Sequence, residues 1–542
     1  MTREQIIILV VFIAYIIAMV VVGTCFCKKN TNNAEYTLGG RKLNPWVSAM
    51  SAQASDMSGW LLQGLPGKAC TIIALAGGVG FITGSCKSAI MIAVGLLIGT
   101  ALNWILVARR LRVYTEVSND SLTISSYLGN RFKDNKNIIK IICAVVMCIF
   151  FTFYAASMFA ASAKLFNAVF GLDYTIGLAI GVVAITIYVV LGGFLAVSWT
   201  DLIQGILMFF ALIIMPIVCF AKLGGDPVKF EQAKQILSST FSFGLEEIFG
   251  AMEIINGLAW GLGYFGMPHI LTRFMGIKSE KEVKPAATIA IIWVVITLVS
   301  AVVCGIIGAV YLNQIAVSAE SAKANENVII QLIMALFNDK AIIISGILLS
   351  AVLAAIMSTA DSQLLVASTS FSNDIYSLIR TKIKKSEPSD KELVWVGRIL
   401  VGVLAIIGFF IALDPNSSVF DLVDFAWGGL GSAFGPIILF SLYSKKINKY
   451  GAIASIATGT IVSIVWGMVL PNTGIFALYE IVPGFVLATV ALFVVSLLTN
   501  KVIKPEDKKA MDDEFDSMIS RLKSQKEAKN LPTENEKEVK EN

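Results

Sequence analysis

The sequence predicts an all-α polytopic membrane protein of about thirteen transmembrane helices, two of them broken at mid-membrane. Three observations lead there. Of its 542 residues, 56% are hydrophobic and only 15% are charged, and the mean hydropathy is +0.76. A soluble chain of this size cannot bury so much apolar surface, so lipid is its natural solvent. Apolar runs of bilayer-spanning length, about 20 residues, recur along the chain. Inside two of these runs, polar residues, glycines and a proline gather where hydrocarbon tolerates few of them.

The first run, Ile6–Phe26, follows Thr2-Arg3-Glu4-Gln5. It is too long for a signal-peptide core and no A-x-A site follows, so a permanent span is expected. The spans are expected near 5–27, 44–66, 86–108, 138–168, 175–198, 202–222, 247–268, 287–313, 341–372, 395–413, 420–443, 450–470 and 478–499. Basic residues mark alternate exits. Lys28, Lys29, Arg41 and Lys42 follow the first span; Arg109, Arg110, Arg112 and Arg131 follow the third. Arg273, Lys278, Lys281 and Lys284 follow the seventh, and Arg380, Lys382, Lys384 and Lys385 the ninth. Lys445, Lys446 and Lys449 follow the eleventh, and a charged tail follows the thirteenth. This alternation places the N-terminus outside and the C-terminus in the cytoplasm. In the tail, 501–542, Met511, Phe515, Met518, Ile519 and Leu522 recur at helical spacing, which predicts a short amphipathic helix on the membrane surface or on the cytoplasmic loops. The net charge of +5 is small and spread over loops, which points to no nucleic-acid partner. The cysteines fall mostly inside apolar runs and read as small apolar fillers, while the close pair Cys25 and Cys27 lacks metal-ligand company.

Three spans carry polar clusters. The second contains Ser51-Ala52-Gln53-Ala54-Ser55-Asp56-Met57-Ser58-Gly59-Trp60. Small residues of this kind also build tight helix seams. Asp56 beside Gly59 fits better a helix that unwinds and offers carbonyls and hydroxyls to an ion or substrate. The seventh runs from Gly257 to Pro268 with four glycines and a proline, which argues against a continuous helix. Its Trp260, Tyr264 and Pro268 fall on one helical face, suiting either ordinary packing or the wall of a pocket for a compact ring. In the ninth, Ser358, Thr359 and Ser362 are helical neighbours beside Asp361. Such hydroxyls either bond back to the preceding turn or supply the hard oxygens an alkali cation such as sodium needs. Asp361 and Asp201, the latter at the start of the sixth span, are read as acids near membrane boundaries. Breaks five spans apart point to a transporter core of five-plus-five inverted repeats. The expected organisation is 1–43 for the first peripheral span and cytoplasmic loop, 44–223 for the first repeat (spans 2–6) and 224–444 for the second (spans 7–11). Peripheral spans 12–13 would occupy 445–500, and the cytoplasmic tail 501–542.

With these residues in view, the chain from about 6 to 500 resembles the sodium/solute symporter family, and within it the proline-carrying branch. The resemblance rests on Leu38-Gly39-Gly40-Arg41, Ala54 to Leu62, Gly64-Leu65-Pro66-Gly67, Gly192 to Asp201, Trp260 to Leu271 and Met357-Ser358-Thr359, in that order. It implies a sodium ion held by the carbonyls of Ala54, Met57 and Ala355 and the hydroxyls of Ser358 and Thr359, with Asp56 tuning the region. It implies a proline site at Ser58, Gly59, Tyr154, Trp260, Tyr264 and Pro268. Half-helix amides would receive the carboxylate, and aromatic faces would pack on the pyrrolidine ring near its ammonium. The chain departs from the best-known bacterial member of the branch at Gln53, where that member has glycine, and at Asp361, where it has a small hydroxyl residue. Family members with a second sodium site make Ser358, Asp361, Ser362 and Asp201 a candidate second-cation set.

The implied function is sodium-coupled symport of L-proline into the cell by alternating access, in a bacterial cytoplasmic membrane, with no obligatory protein partner. One rival is a sodium-coupled symporter of another small solute, such as pantothenate, a sugar or another carboxylate; another is a passive channel. A membrane-embedded enzyme is disfavoured, because no H-E-x-x-H, G-x-S-x-G or Walker motif is present. The single histidine, His269, reads as a structural or loop residue at a span end.

Overall fold

The structure, a computed structural model, describes residues 1–27, 32–74, 80–82, 84–241, 251–314, 325–337, 341–471 and 473–530. Lys28, Lys29, residues 247–250 of the seventh predicted span and the end of the tail, 531–542, lie outside the described residues, as does the side chain of Cys27. Helices dominate. In chain order, α1 is Arg3–Cys27, α2 Pro45–Asp56, α3 Leu65–Ala69, α4 Gly84–Leu102, α5 Arg109–Val117, α6 Ile124–Arg131, α7 Ile138–Phe170, α8 Tyr174–Leu191 and α9 Phe194–Leu223. Then follow α10 Ala251–Gly263, α11 Pro268–Gly276, α12 Val283–Tyr311, α13 Ile342–Phe371, α14 Asp390–Ile411, α15 Val419–Ser441, α16 Lys449–Ile464, α17 Ile481–Thr499 and α18 Pro505–Asn530. A small antiparallel ribbon pairs Ile72–Ala74 with Gly80–Ile82.

Ten helices among the described residues are long and apolar enough to cross a membrane. The other three predicted segments are helical too: α8 is shorter, and α2–α3 and α10–α11 are broken. Burial sorts the helices into layers. In α13 and α15, 78% of the most apolar stretch is buried, against 22% in α1 and 28% in α14 and α16. α13 and α15 therefore form the core around α7, while α1, α14 and α16 face outward. On α1, Ile6, Val10, Ile13, Ile17 and Val21 make an exposed apolar stripe, the surface a lipid-facing helix presents.

Two sequence expectations are corrected here. The fifth predicted span does not run to 198. Gly192 and Gly193 are both extended, with Gly193 at φ −178°, ψ 176°, so α9 begins at Phe194. Asp201 therefore lies about two turns inside α9, fully buried, not at a membrane boundary. Nor do all the glycines of the seventh span break it. Gly257 and Gly261 sit within the continuous α10 and let it touch α4: a Cβ on Gly261 would fall 2.5 Å from the Gly95 carbonyl oxygen, and one on Gly95 would fall 2.3 Å from that of Gly257. The interruption lies beyond them, at Tyr264–Met267.

At the end of the bundle that carries the basic loops, the two broken segments are tied together. Leu43 N–H donates to Gly276 O at 3.1 Å and Lys278 N–H donates to Leu43 O at 2.9 Å. Arg41 donates to Met275 O at 2.7 Å, and Arg112 donates to Ile277 O at 2.5 Å and Lys278 O at 3.1 Å. These arginines, read from sequence as markers of topology, also bind carbonyls at and just beyond the C-terminal end of α11.

Most of the described part of the tail forms one long helix, α18. It packs on α5 through Met511, Phe515 and Met518, with the Phe515 ring 6.1 Å from that of Tyr114. Ion pairs flank the contact: Lys133 with Glu514, Arg521 with Glu116 at 2.8 Å and Lys445 with Asp516 at 2.6 Å. Of the two placements left open from sequence, the described part of the tail takes the one on the basic loops.

The glycine seam carries a stability prediction. Gly261→Ala should lower the thermal unfolding midpoint of the purified protein, by overpacking worth about 1–3 kcal/mol. Gly402→Ala, where an added Cβ meets no atom within 4 Å, should leave it unchanged.

Candidate ion and substrate site

α2 stops in the middle of the bundle. Met57 still donates to Gln53 O at 2.7 Å, but its backbone (φ −77°, ψ 72°) leaves the helix, and Ser58 N–H turns back to Asp56 O at 2.9 Å. A wide helical turn at Trp60–Gly64 then leads into α3, where Pro66 occupies an early position that needs no N–H. The break frees carbonyls, and side chains from other helices meet them. Ser358 Oγ donates to Ala54 O at 2.7 Å and to Ala355 O at 3.2 Å, and Thr359 Oγ1 reaches Ala54 O at 3.4 Å. The structure thus brings together Ala54, Ala355, Ser358 and Thr359, with Met57 buried at the break itself. Carbonyl and hydroxyl oxygens of this kind are hard and neutral, and a hydroxyl can turn its lone pairs toward a cation.

Two residues after Ala54, Asp56 O accepts from Trp60 Nε1 at 2.9 Å and Tyr154 OH at 3.4 Å. The Asp56 carboxylate accepts from Tyr264 OH at 2.6 Å through Oδ2, while Oδ1 has no hydrogen bond among the described residues. Gly59 is a close approach: a Cβ there would lie 3.2 Å from Ala161 Cβ of α7 and 3.3 Å from Ile356 Cγ1 of α13. Ser58 Oγ lies 3.4 Å from Trp60 N.

Trp260 is the centre of an aromatic box. It stacks on Trp427 at 6.1 Å and Tyr479 at 5.5 Å and tilts against Phe420 at 5.0 Å and Trp60 at 6.2 Å. Trp427 Nε1 donates to Trp260 O at 2.8 Å, and its ring meets that of Tyr264 edge-on at 5.1 Å. Sequence reasoning named Trp260, Tyr264 and Tyr154 but not Trp427, Phe420 or Tyr479, which lie in apolar or loop segments without a distinguishing pattern. Pro268 takes the first position of α11, where its missing N–H costs nothing. His269 is not a loop residue: it is fully buried in α11, 5.6 Å from the Phe151 ring and 6.2 Å from that of Tyr154.

Two of the candidate second-cation residues, Asp201 and Ser362, meet a different partner. Arg273, counted from sequence among the loop cations, is fully buried. Its guanidinium pairs with Asp201 Oδ2 at 3.2 Å and donates to Ser362 Oγ at 2.5 Å, Ser51 Oγ at 2.9 Å and His269 O at 2.9 Å. Ser51 Oγ donates to Asp201 Oδ2 at 2.6 Å. Asp201 and Ser362 are thus brought together around the chain's own cation. Asp361 is buried as well, with neither carboxylate oxygen hydrogen-bonded among the described residues.

At the end opposite the basic loops, a cavity of about 500 Å³ reaches this site, with Trp260, Asn256 and Tyr479 in its wall. Asn256 holds the cover in place: it donates to Ala477 O at 2.9 Å and accepts from Tyr479 N–H at 2.8 Å.

Comparison with known proteins follows the same lines. The family model described as Sodium:solute symporter family matches residues 36–459. The osmoregulated proline transporter OpuE of Bacillus subtilis (strain 168) is 42% identical over 497 residues, covering 90% of this chain and 94% of that protein. The sodium/proline symporter of Escherichia coli (strain K12) is 42% identical over 491 residues, 90% of this chain and 93% of the other. Among solved structures, a Na+-coupled sialic acid symporter in a substrate-bound outward-open state aligns with a TM-score of 0.70 over 91% of this chain and 98% of its own, at 20% identity, a likeness of fold.

The buried pair yields a prediction. Arg273→Gln leaves Asp201 uncompensated and should cost about 3–5 kcal/mol of stability. The double variant Arg273→Gln/Asp201→Asn should recover much of the loss, and thermal unfolding of the three proteins side by side measures it.

Proposed function

The chain belongs to the sodium:solute symporter family, and from that membership we propose that it carries L-proline across the cell membrane together with sodium. It is a secondary transporter and not an enzyme. The observation that carries the reading is the junction at the broken second span. There a cluster of neutral oxygens from Ala54, Ala355, Ser358 and Thr359 lies two residues from Asp56, whose carboxylate holds Tyr264 beside the aromatic box.

We assign sodium to that cluster, with the Met57 carbonyl as its fifth oxygen, and proline to the space bordered by Ser58, Gly59, Tyr154, Trp260, Tyr264 and Pro268. A sodium ion there would tie the end of α2 to α13 and fix Asp56, and through Asp56 the Tyr264 ring. Proline would then find its pocket preorganised. The converse holds by linkage: bound proline tightens sodium by the same factor. Each sodium crossing about 100 mV contributes roughly 2.3 kcal/mol, enough for about 50-fold accumulation at one-to-one coupling.

Arg273 already neutralises Asp201 and occupies Ser362, so we assign one sodium per proline, with Asp361 beside this network outside the ion site. We place the basic loops and the tail in the cytoplasm and the N-terminus outside, because Lys and Arg cluster at the exits of the first, third, seventh, ninth, eleventh and thirteenth spans. The cavity above Trp260 then opens from outside. Residues 44–223 and 224–444 form the two inverted repeats, whose rocking exposes the site to either face.

Uptake of radiolabelled L-proline into proteoliposomes tests this reading. An inward sodium gradient should drive accumulation, and Ser358→Ala should raise the half-saturating sodium concentration about tenfold, the loss of one contact to a charge worth about 1.5 kcal/mol. Parallel flux measurements should give equal sodium and proline. Sodium-driven uptake of a different solute would keep the ion site and discard the pocket; proline uptake indifferent to sodium would remove the coupling.

A further inference from the structure

The cavity above Trp260 is acidic. Asp421, Asp424 and Glu480 line it against a single ammonium, that of Lys68, which is seated 3.6 Å over the Phe420 ring. Such a cleft, bounded by low-dielectric walls, concentrates cations. Acidity alone would only make a solvated rim, but Glu480 is largely withdrawn into the cavity wall. It is 7% exposed, and its carboxylate makes no ion pair and no hydrogen bond to another residue's donor among the described residues. It stands at the cap position of α17 without capping that helix. Two glycines make room for it. A Cβ on Gly428 would fall 2.6 Å from Glu480 Oε1, and one on Gly467 would fall 3.4 Å from its Cδ.

Glu480 is also placed where a cation would matter. Its neighbour Tyr479 stacks on Trp260 and donates through its hydroxyl to the Asp424 carbonyl at 2.8 Å. Asp424 lies one helical turn before Gly428 on α15, so both carboxylates face the same part of the cavity wall. A buried carboxylate lacking a counter-charge is costly unless a cation visits it.

We propose that Asp424 and Glu480 form a cation station in the outer cavity, which takes a monovalent cationic group, sodium or the secondary ammonium of the amino-acid substrate, before it passes Trp260. The assignment of these two ligands rests on the transport reading above. The station is separate from the cluster at Ala54 and Ser358, and it is built by the linker between α16 and α17 and by α15.

Glu480→Gln and Asp424→Asn test it in proteoliposomes, with equilibrium binding of radioactive sodium to the detergent-solubilised protein in the absence of proline. Each variant should raise one half-saturation constant about tenfold, the smallest enrichment expected of a focused field. A raised sodium constant with weakened sodium binding identifies sodium as the occupant. A raised proline constant at saturating sodium, with sodium binding unchanged, identifies the ammonium. Both constants within twofold of wild type in both variants would overturn the station, as would a loss of maximal rate alone. If Glu480→Gln does not fold, Asp424→Asn decides by the same criteria. Should the wild type carry no proline, the functional reading fails, and the sodium-binding comparison alone decides the station, unchanged binding overturning it.

Discussion

A helix that stops inside a bilayer leaves N–H and C=O groups that no lipid can satisfy, and several kcal/mol are lost for each one left alone. Most of what is distinctive here answers that constraint at Met57 and Ser58. Freed carbonyls at Ala54 and Asp56 recruit Ser358 and Thr359 from α13, Tyr154 from α7 and the indole of Trp60. The groups that repair the break are the groups a cation and a small zwitterion would use. On the assignment proposed above, repair and recognition would draw on one set of oxygens, and the long central helices α7 and α13 are tied to that set by hydrogen bonds.

The broken second span was legible because hydrocarbon has a simple rule: a carboxylate, hydroxyls and a glycine inside an apolar run need a reason. The same rule singled out Ser358 and Thr359, which the fold brings within hydrogen-bonding reach of Ala54 across 304 and 305 residues of chain. The seventh span was read less well. Glycine has two uses in a membrane helix, to interrupt it and to let another helix approach, and composition does not separate them. Gly257 and Gly261 serve approach, while the interruption falls at Tyr264–Met267.

Other parts were hidden for physical reasons. An arginine at the end of an apolar run looks like an interfacial anchor, and only three-dimensional structure reveals that Arg273 points inward to Asp201. A two-residue extended stretch at Gly192 and Gly193 is too short to register in a hydropathy reading, yet it moves Asp201 from a boundary to the interior. The linker ahead of α17 has no periodicity. Its importance comes from Asn256, which binds it down over Trp260.

The docked tail has a mechanical consequence. α18 bridges basic segments from opposite ends of the sequence, Glu116 and Lys133 early in the chain and Lys445 late in it. Any rearrangement that spreads those segments must first peel this strap away. What holds it is three buried apolar side chains and partly exposed ion pairs, and ion pairs of that kind weaken as salt rises. The stiffness of that face of the molecule therefore depends on the solution bathing it.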